Sequence, residues 1–164
     1  MTKYFFEIWV RGNTGQKIKH LVNSDESYHP HITLVRPFYI GTSEERVKKK
    51  VENLCSLFSP IKFSIFGEGS FSENTNYFPI LGEELLMFNN QLEDILSNEV
   101  NFVERLNREK VLHLTTPSKA RIEIPFEELF RYLTAIRNKK IWFSYDLLEK
   151  RFLDREESLK TIQS

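Results

Sequence analysis

Residues 28–35 read Tyr28-His29-Pro30-His31-Ile32-Thr33-Leu34-Val35, and the rest of the chain is best read outward from them. Polar and apolar residues alternate here with period two, the mark of a short strand. Positions i and i+2 of a strand share a face. His31 and Thr33 therefore point together, while Ile32 and Leu34 point the other way, into a core. The pattern recurs in Lys110-Val111-Leu112-His113-Leu114-Thr115-Thr116-Pro117, where His113 and Thr115 share a face backed by Leu112 and Leu114. A lone H-x-T carries little information. Two copies in the same apolar register, roughly half a chain apart, are much harder to obtain by accident.

Paired H-x-T strands, the Pro-His-Ile-Thr-Leu context of the first and a chain of 164 residues resemble the two-histidine phosphoesterases. That superfamily includes the 2',5'-RNA ligase-like proteins and the cyclic phosphodiesterases. The likeness runs over most of the chain in element order, but the specific match is confined to the two motifs. The segment before the first motif is short, so a helix of larger relatives is expected to be reduced. Thr116 stands where an apolar residue is more usual.

Length and composition suit one two-lobed domain over 1–164 with a substantial core. Lys plus Arg and Asp plus Glu both number 23, so no overall field attracts long nucleic acid, which argues against a general RNA coat. The expected partners are RNA 3' ends, oligonucleotides or nucleotide cyclic phosphates, gripped by a few local cations. No obligate protein partner is inferred. The single cysteine, Cys55, excludes an internal disulfide framework and reads as a core residue. Glu7 comes too early for a secretory leader and no apolar run reaches membrane-spanning length, so a soluble, cytoplasmic protein is expected.

In chain order, Tyr4 to Val10 reads as a strand, with Tyr4, Phe6, Ile8 and Val10 on one face and Phe5, Glu7 and Trp9 on the other. Residues 11–15 read as a turn, and Gln16 to Val22 as a short helix carrying His20. The first motif strand is expected to end at Arg36-Pro37. Thr42-Ser43-Glu44-Glu45 reads as a capping box with Thr42 as the N-cap. It opens a helix with Val47, Val51, Leu54, Cys55 and Phe58 inward and Arg46, Lys48, Lys49 and Lys50 on its solvated side. Ile61 to Phe66 is a strand, and Gly67-Glu68-Gly69 a bulge or tight turn. Asn76 to Leu81 is a strand demoted to an edge by Pro79, and Glu83 to Ser97 is a helix. Pro125 suits the first position of a helix, with Phe126, Leu129, Phe130, Leu133 and Ile136 as its apolar stripe and Asn138-Lys139-Lys140 as its end. Ile141 to Leu147 is a last strand, and residues 149–164 form a polar C-terminal segment, a loose helix or tail. This order predicts an α+β architecture: two pseudo-symmetric lobes of antiparallel strands, helices on the outer faces and a central cleft carrying both H-x-T motifs. The family resemblance implies the same fold.

Two imidazoles facing one phosphorus supply a base for the attacking oxygen and an acid for the departing one. Thr33 and Thr115 are short hydroxyl donors for the non-bridging oxygens. His31, Thr33, His113 and Thr115 are therefore the candidate catalytic residues, with no cofactor and no metal required. The pair His29-x-His31 is how some metal sites begin, but no third ligand is evident, and His29 is expected to flank the cleft. Arg36, Lys119 and Arg121 are candidate phosphate ligands, and Phe38, Trp9 and Tyr77 candidate stacking platforms. The resemblance implies a substrate class: RNA-terminal or nucleoside 2',3'-cyclic phosphates opened to a 2'-phosphate, and in some members the reverse formation of a 2',5'-linkage. Residue pattern alone leaves open a non-catalytic binder of RNA ends or nucleotides, and an interaction module. It also leaves open which histidine is the base.

Overall fold

In a computed structural model that describes residues 1–23, 28–104 and 110–162, strand β1 (Tyr4–Trp9) lies between β2 (His31–Ile40) and β9 (Tyr132–Arg137). Among the described residues, these join β6 (Val100–Phe102), β10 (Lys140–Asp146) and β11 (Arg151–Leu153) in one antiparallel sheet of order β11-β10-β9-β1-β2-β6. The second sheet contains β3 (Ile61–Gly67), β4 (Gly69–Ser72), β5 (Thr75–Leu81), β7 (His113–Thr116) and β8 (Ile122–Phe130). The registers from Ser64 opposite Leu81 to Ser72 opposite Thr75 run on continuously, so β3 and β4 are one bent strand against β5. The bend falls at Gly67, whose φ of 85° suits a residue without a Cβ. On its other edge β5 carries β7, with Pro79 opposite His113 and Tyr77 opposite Thr115. Pro79 therefore does not mark an edge: β5 is paired on both sides.

Helices α1 (Gly12–Leu21), α2 (Glu44–Cys55), α3 (Glu83–Leu96) and α4 (Arg155–Ile162) complete the described elements. Helix α1 starts earlier than residues 16–22 suggested, because Gly12 and Gly15 enter the helix instead of forming a turn. Helix α2 is capped by Ser43, whose hydroxyl accepts from the Arg46 N–H at 3.2 Å. Thr42 instead gives its hydroxyl to the buried carboxylate of Glu99, which Arg46 and Lys50 also bind. The basic run on α2 is thus partly a clamp on the turn before β6. Val47, Val51, Leu54 and Cys55 from α2 meet Leu85, Phe88, Leu92 and Leu96 from α3 in the core. No described helix is long and apolar enough to cross a membrane.

The largest departure from the sequence reading is residues 122–137. These are two strands, β8 and β9, where a helix was expected. Pro125 sits in a bulge of β8, between Phe126 opposite Ile65 and Ile122 opposite Gly67. The only described partner of β8 is β3, and an edge strand tolerates the missing N–H. Leu133, Thr134, Ala135 and Ile136 are all buried, as befits a strand covered on both faces. Asn138 and Lys139, at φ of 49° and 67°, form a two-residue hairpin loop of the primed kind. Residues 149–164 are also more ordered than a tail: β11 pairs with β10 and α4 packs on β10.

Candidate active site

The first motif is built by β1 against β2. His31 lies opposite Trp9 and Thr33 opposite Glu7, so these four side chains occupy one face while Ile8 and Ile32 fill the core behind. Two register shifts in this ladder put one extra residue each into β2. They let the strand run on through Pro37 to Ile40, beyond its expected end. The Nδ1 of His31 lies 2.9 Å from the carbonyl oxygen of His29. A carbonyl can only accept, so Nδ1 carries the proton and Nε2 is left as the nitrogen that takes or gives one.

The second motif repeats this device. The Nδ1 of His113 donates to the carbonyl of Val111 at 2.7 Å, again two residues back along the chain. Here the ring packs edge-on against Phe71 and Tyr77, at centroid separations of 4.8 and 5.4 Å. Phe71 and Tyr77 stack on each other at 4.4 Å. Tyr77 also lies so close over Gly69 that a Cβ there would enter its ring.

The two motif strands pack against each other across the sheets. Thr33 from the first and His113 from the second line one cavity of about 130 Å³, together with Leu34, Arg36, Glu93, Lys110 and Val111. At roughly 30 Å³ per water, that is room for about four waters, the scale of a phosphoryl group and not of a whole nucleotide. Tyr28 donates its hydroxyl to the Thr115 carbonyl at 2.7 Å, which ties the lead-in of one motif to the backbone of the other. Lys110 makes a second tie: its ammonium donates to the Leu34 carbonyl and to Glu93. Burial holds the Lys110 ammonium below its usual range, against the opposing pull of Glu93.

No protein-family model matches the sequence, and none of the curated proteins does. Solved structures do match. TT0787 of Thermus thermophilus aligns with a TM-score of 0.56 at 12% identity, over 88% of this chain and 97% of that one. E. coli LigT complexed with 3'-AMP aligns with a TM-score of 0.53 at 15% identity, over 92% of each chain. A chain described as a phosphoesterase aligns with a TM-score of 0.51 at 13% identity, over 93% of each. This is the two-histidine phosphoesterase fold. At such identities the likeness speaks for the fold, and the site has to be read from this chain's own residues.

Within the two-histidine phosphoesterase fold, the other expected residues scatter. Arg36 lines the cavity, its Nε donating to the Glu104 carbonyl at 2.9 Å and its guanidinium lying 3.9 Å over the Phe102 ring. Phe38 does not serve as a platform. It is 0% exposed and packed on Tyr4 and Phe6, so no substrate reaches it. Lys119 is exposed and is not among the residues lining this cavity. Arg121 is exposed too, and lies within 3.9 Å of Glu68 and 3.5 Å of Glu123. Trp9 is spent on its neighbours, giving its indole N–H to Glu7 and its ring edge contact to His29. Tyr77 remains as a half-buried aromatic beside His113.

His29 sits against Trp9 at 4.2 Å and stacks on His31 at 6.2 Å. Burial, with His31, Lys19 and Arg11 nearby, pushes its imidazole down to about 4, so it is neutral at pH 7. Among the described residues no group of three His, Cys, Asp or Glu side chains is placed to hold a metal. The residue that sequence reasoning passed over is Glu7, 5% exposed, with Oε2 3.7 Å from Nε2 of His31. Its signal was there: a single acid inside the otherwise apolar run Tyr4-Phe5-Phe6-Glu7-Ile8-Trp9-Val10.

Proposed function

We propose that this protein is a metal-independent phosphodiesterase that opens 2',3'-cyclic phosphates of RNA ends or nucleotides by two-histidine acid–base catalysis. The observation that carries the proposal is the repeated tautomer lock, with Thr33 and His113 of different motifs on one phosphoryl-sized cavity. In the reaction, one Nε2 removes a proton from water as its oxygen bonds to phosphorus. The P–O bond on the opposite side breaks, and the other Nε2 gives its proton to the departing 3'-oxygen. The product is a 2'-phosphate with a free 3'-hydroxyl. Thr33 and Thr115 donate to the non-bridging oxygens, whose charge grows in the transition state. Run backwards with an RNA 5'-hydroxyl in place of water, the same apparatus forms a 2',5'-linkage. E. coli LigT, which shares the fold, was solved with 3'-AMP bound, and this supports nucleotide recognition here.

Product analysis with 2',3'-cyclic nucleotides and 2',5'-linked oligonucleotides, with and without a chelator, tests the proposal. The expected result is a 2'-phosphate product at a rate unchanged by chelator. Saturable binding without any product would show a binder of RNA ends instead, and no melting shift with any phosphate-bearing ligand would show neither.

A further inference from the structure

The two imidazoles are held alike at Nδ1 but not at Nε2, and the difference lies in Glu7. We propose that Glu7 is a positioning residue that makes His31 the general acid, leaving His113 as the general base. The inference rests on the phosphodiesterase reading above and assigns the roles within it.

Glu7 is buried in β1, and a carboxylate cannot be taken out of water without partners for its oxygens. Oε1 accepts the Trp9 indole N–H. Oε2 faces the Nε2 of His31 at 3.7 Å. Because Nδ1 of His31 is committed to the His29 carbonyl, a neutral ring would turn a lone pair toward that oxygen. Lone pair against carboxylate is repulsive; N–H against carboxylate is attractive. The pair therefore retains a proton, and a protonated Nε2 is what a departing oxygen needs. Burial raises the Glu7 carboxyl, and His31 and the Trp9 N–H pull it back down.

The other charged neighbours do not cancel this preference. His29, next along the same strand face, is held neutral by its burial. Arg11, at the mouth of α1, stacks on Tyr132 at 4.9 Å, and together with Lys19 it acts on His29. Around His113 the described groups are the aromatic pair Phe71 and Tyr77, the Lys110–Glu93 pair and Arg36 on the cavity wall. Chemistry needs one acid and one base, so the base falls to His113. In the forward step His113 takes the water proton, His31 protonates the 3'-oxygen, and solvent returns the proton from His113 to His31.

The test is the pH profile of kcat/KM for a 2',3'-cyclic nucleotide with the native protein and Glu7→Gln, which keeps the Trp9 acceptor and removes the charge. The alkaline limb, which reports the acid, is expected to move down by about one pH unit, with the acidic limb in place. Glu7→Asp is expected to restore most of the alkaline limb. Movement of the acidic limb, or of neither, overturns the assignment. An NMR titration of the His31 and His113 rings in both proteins, without substrate, reads the same coupling directly. There the His31 midpoint is expected to fall in Glu7→Gln and that of His113 to stay; equal midpoints for His31 in both proteins overturn the proposal, whether or not any cyclic phosphate is turned over.

Discussion

Strands β2 and β7 carry the same three-residue device in very different settings. β2 is a ten-residue strand, and its His31 ring is backed by a buried carboxylate, an indole and a second imidazole. β7 has four residues, pairs with β5 among the described strands, and sets His113 against two aromatic rings. What is common to both is the Nδ1–H bond to the carbonyl two residues back, so that is the part the chemistry requires. What differs gives each histidine its own role and gives the cleft one polar wall and one aromatic wall.

The strongest way to break this comparison is to remove either ring. His31→Ala and His113→Ala are each expected to cut turnover of a 2',3'-cyclic nucleotide by about 10³-fold, within the span of general acid–base catalysis. A single-turnover assay that found either variant near native activity would reduce one motif to an ordinary strand. Next in size are Thr33→Val and Thr115→Val, each expected to lower kcat by about 10²-fold with KM little changed, because the donors matter most to the transition-state oxygens. Unequal losses would rank the two walls by how closely each approaches phosphorus.

The motifs were legible because a strand's faces follow from period two alone, and Ile32, Leu34 and Leu114 are all fully buried as that rule demands. The same rule already turned Phe38 inward, in step with Ile32 and Leu34, and it should have removed Phe38 from the platforms. Arg36 shares that parity, yet it reaches the cavity because the extra residue near Leu34 shifts the faces. A bulge is set by the partner strand, so it leaves no mark on a local pattern. The misread helix has a similar cause. Phe126, Leu129, Phe130, Leu133 and Ile136 happen to fit helical spacing, while the pairing of β8 with β3 and β9 with β1 joins segments some 60 to 130 residues apart. Glu7 was visible as an acid in an apolar strand, but its meaning depended on β2 arriving opposite it.

Smaller perturbations sharpen the contrast between the walls. Gly69→Ala would drive a methyl into the Tyr77 ring, displacing the aromatic wall; KM is expected to rise about fivefold and stability to fall by about 1 kcal/mol. Steady-state kinetics beside a denaturant melt separate the two effects. On the polar wall, His29 is held down to about 4 in the folded protein against an ordinary 6.5. Between those values the unfolded chain binds the extra proton, so this contribution is fully present above about pH 6.5 and is lost as pH falls toward 4. His29→Phe is expected to flatten that part of the melting-temperature profile; an unchanged slope would show that the ring is charged in the fold.

The central claim is that imidazoles from the two sheets work on one phosphorus atom, and a crystal structure with a nucleoside 2'-phosphate product bound tests it most directly. The expected result is a phosphate with one oxygen within about 3 Å of His31 Nε2, another within about 3 Å of His113 Nε2, and the remainder on the Thr33 and Thr115 hydroxyls. A phosphate seated on one motif alone, or outside the cleft altogether, would contradict it.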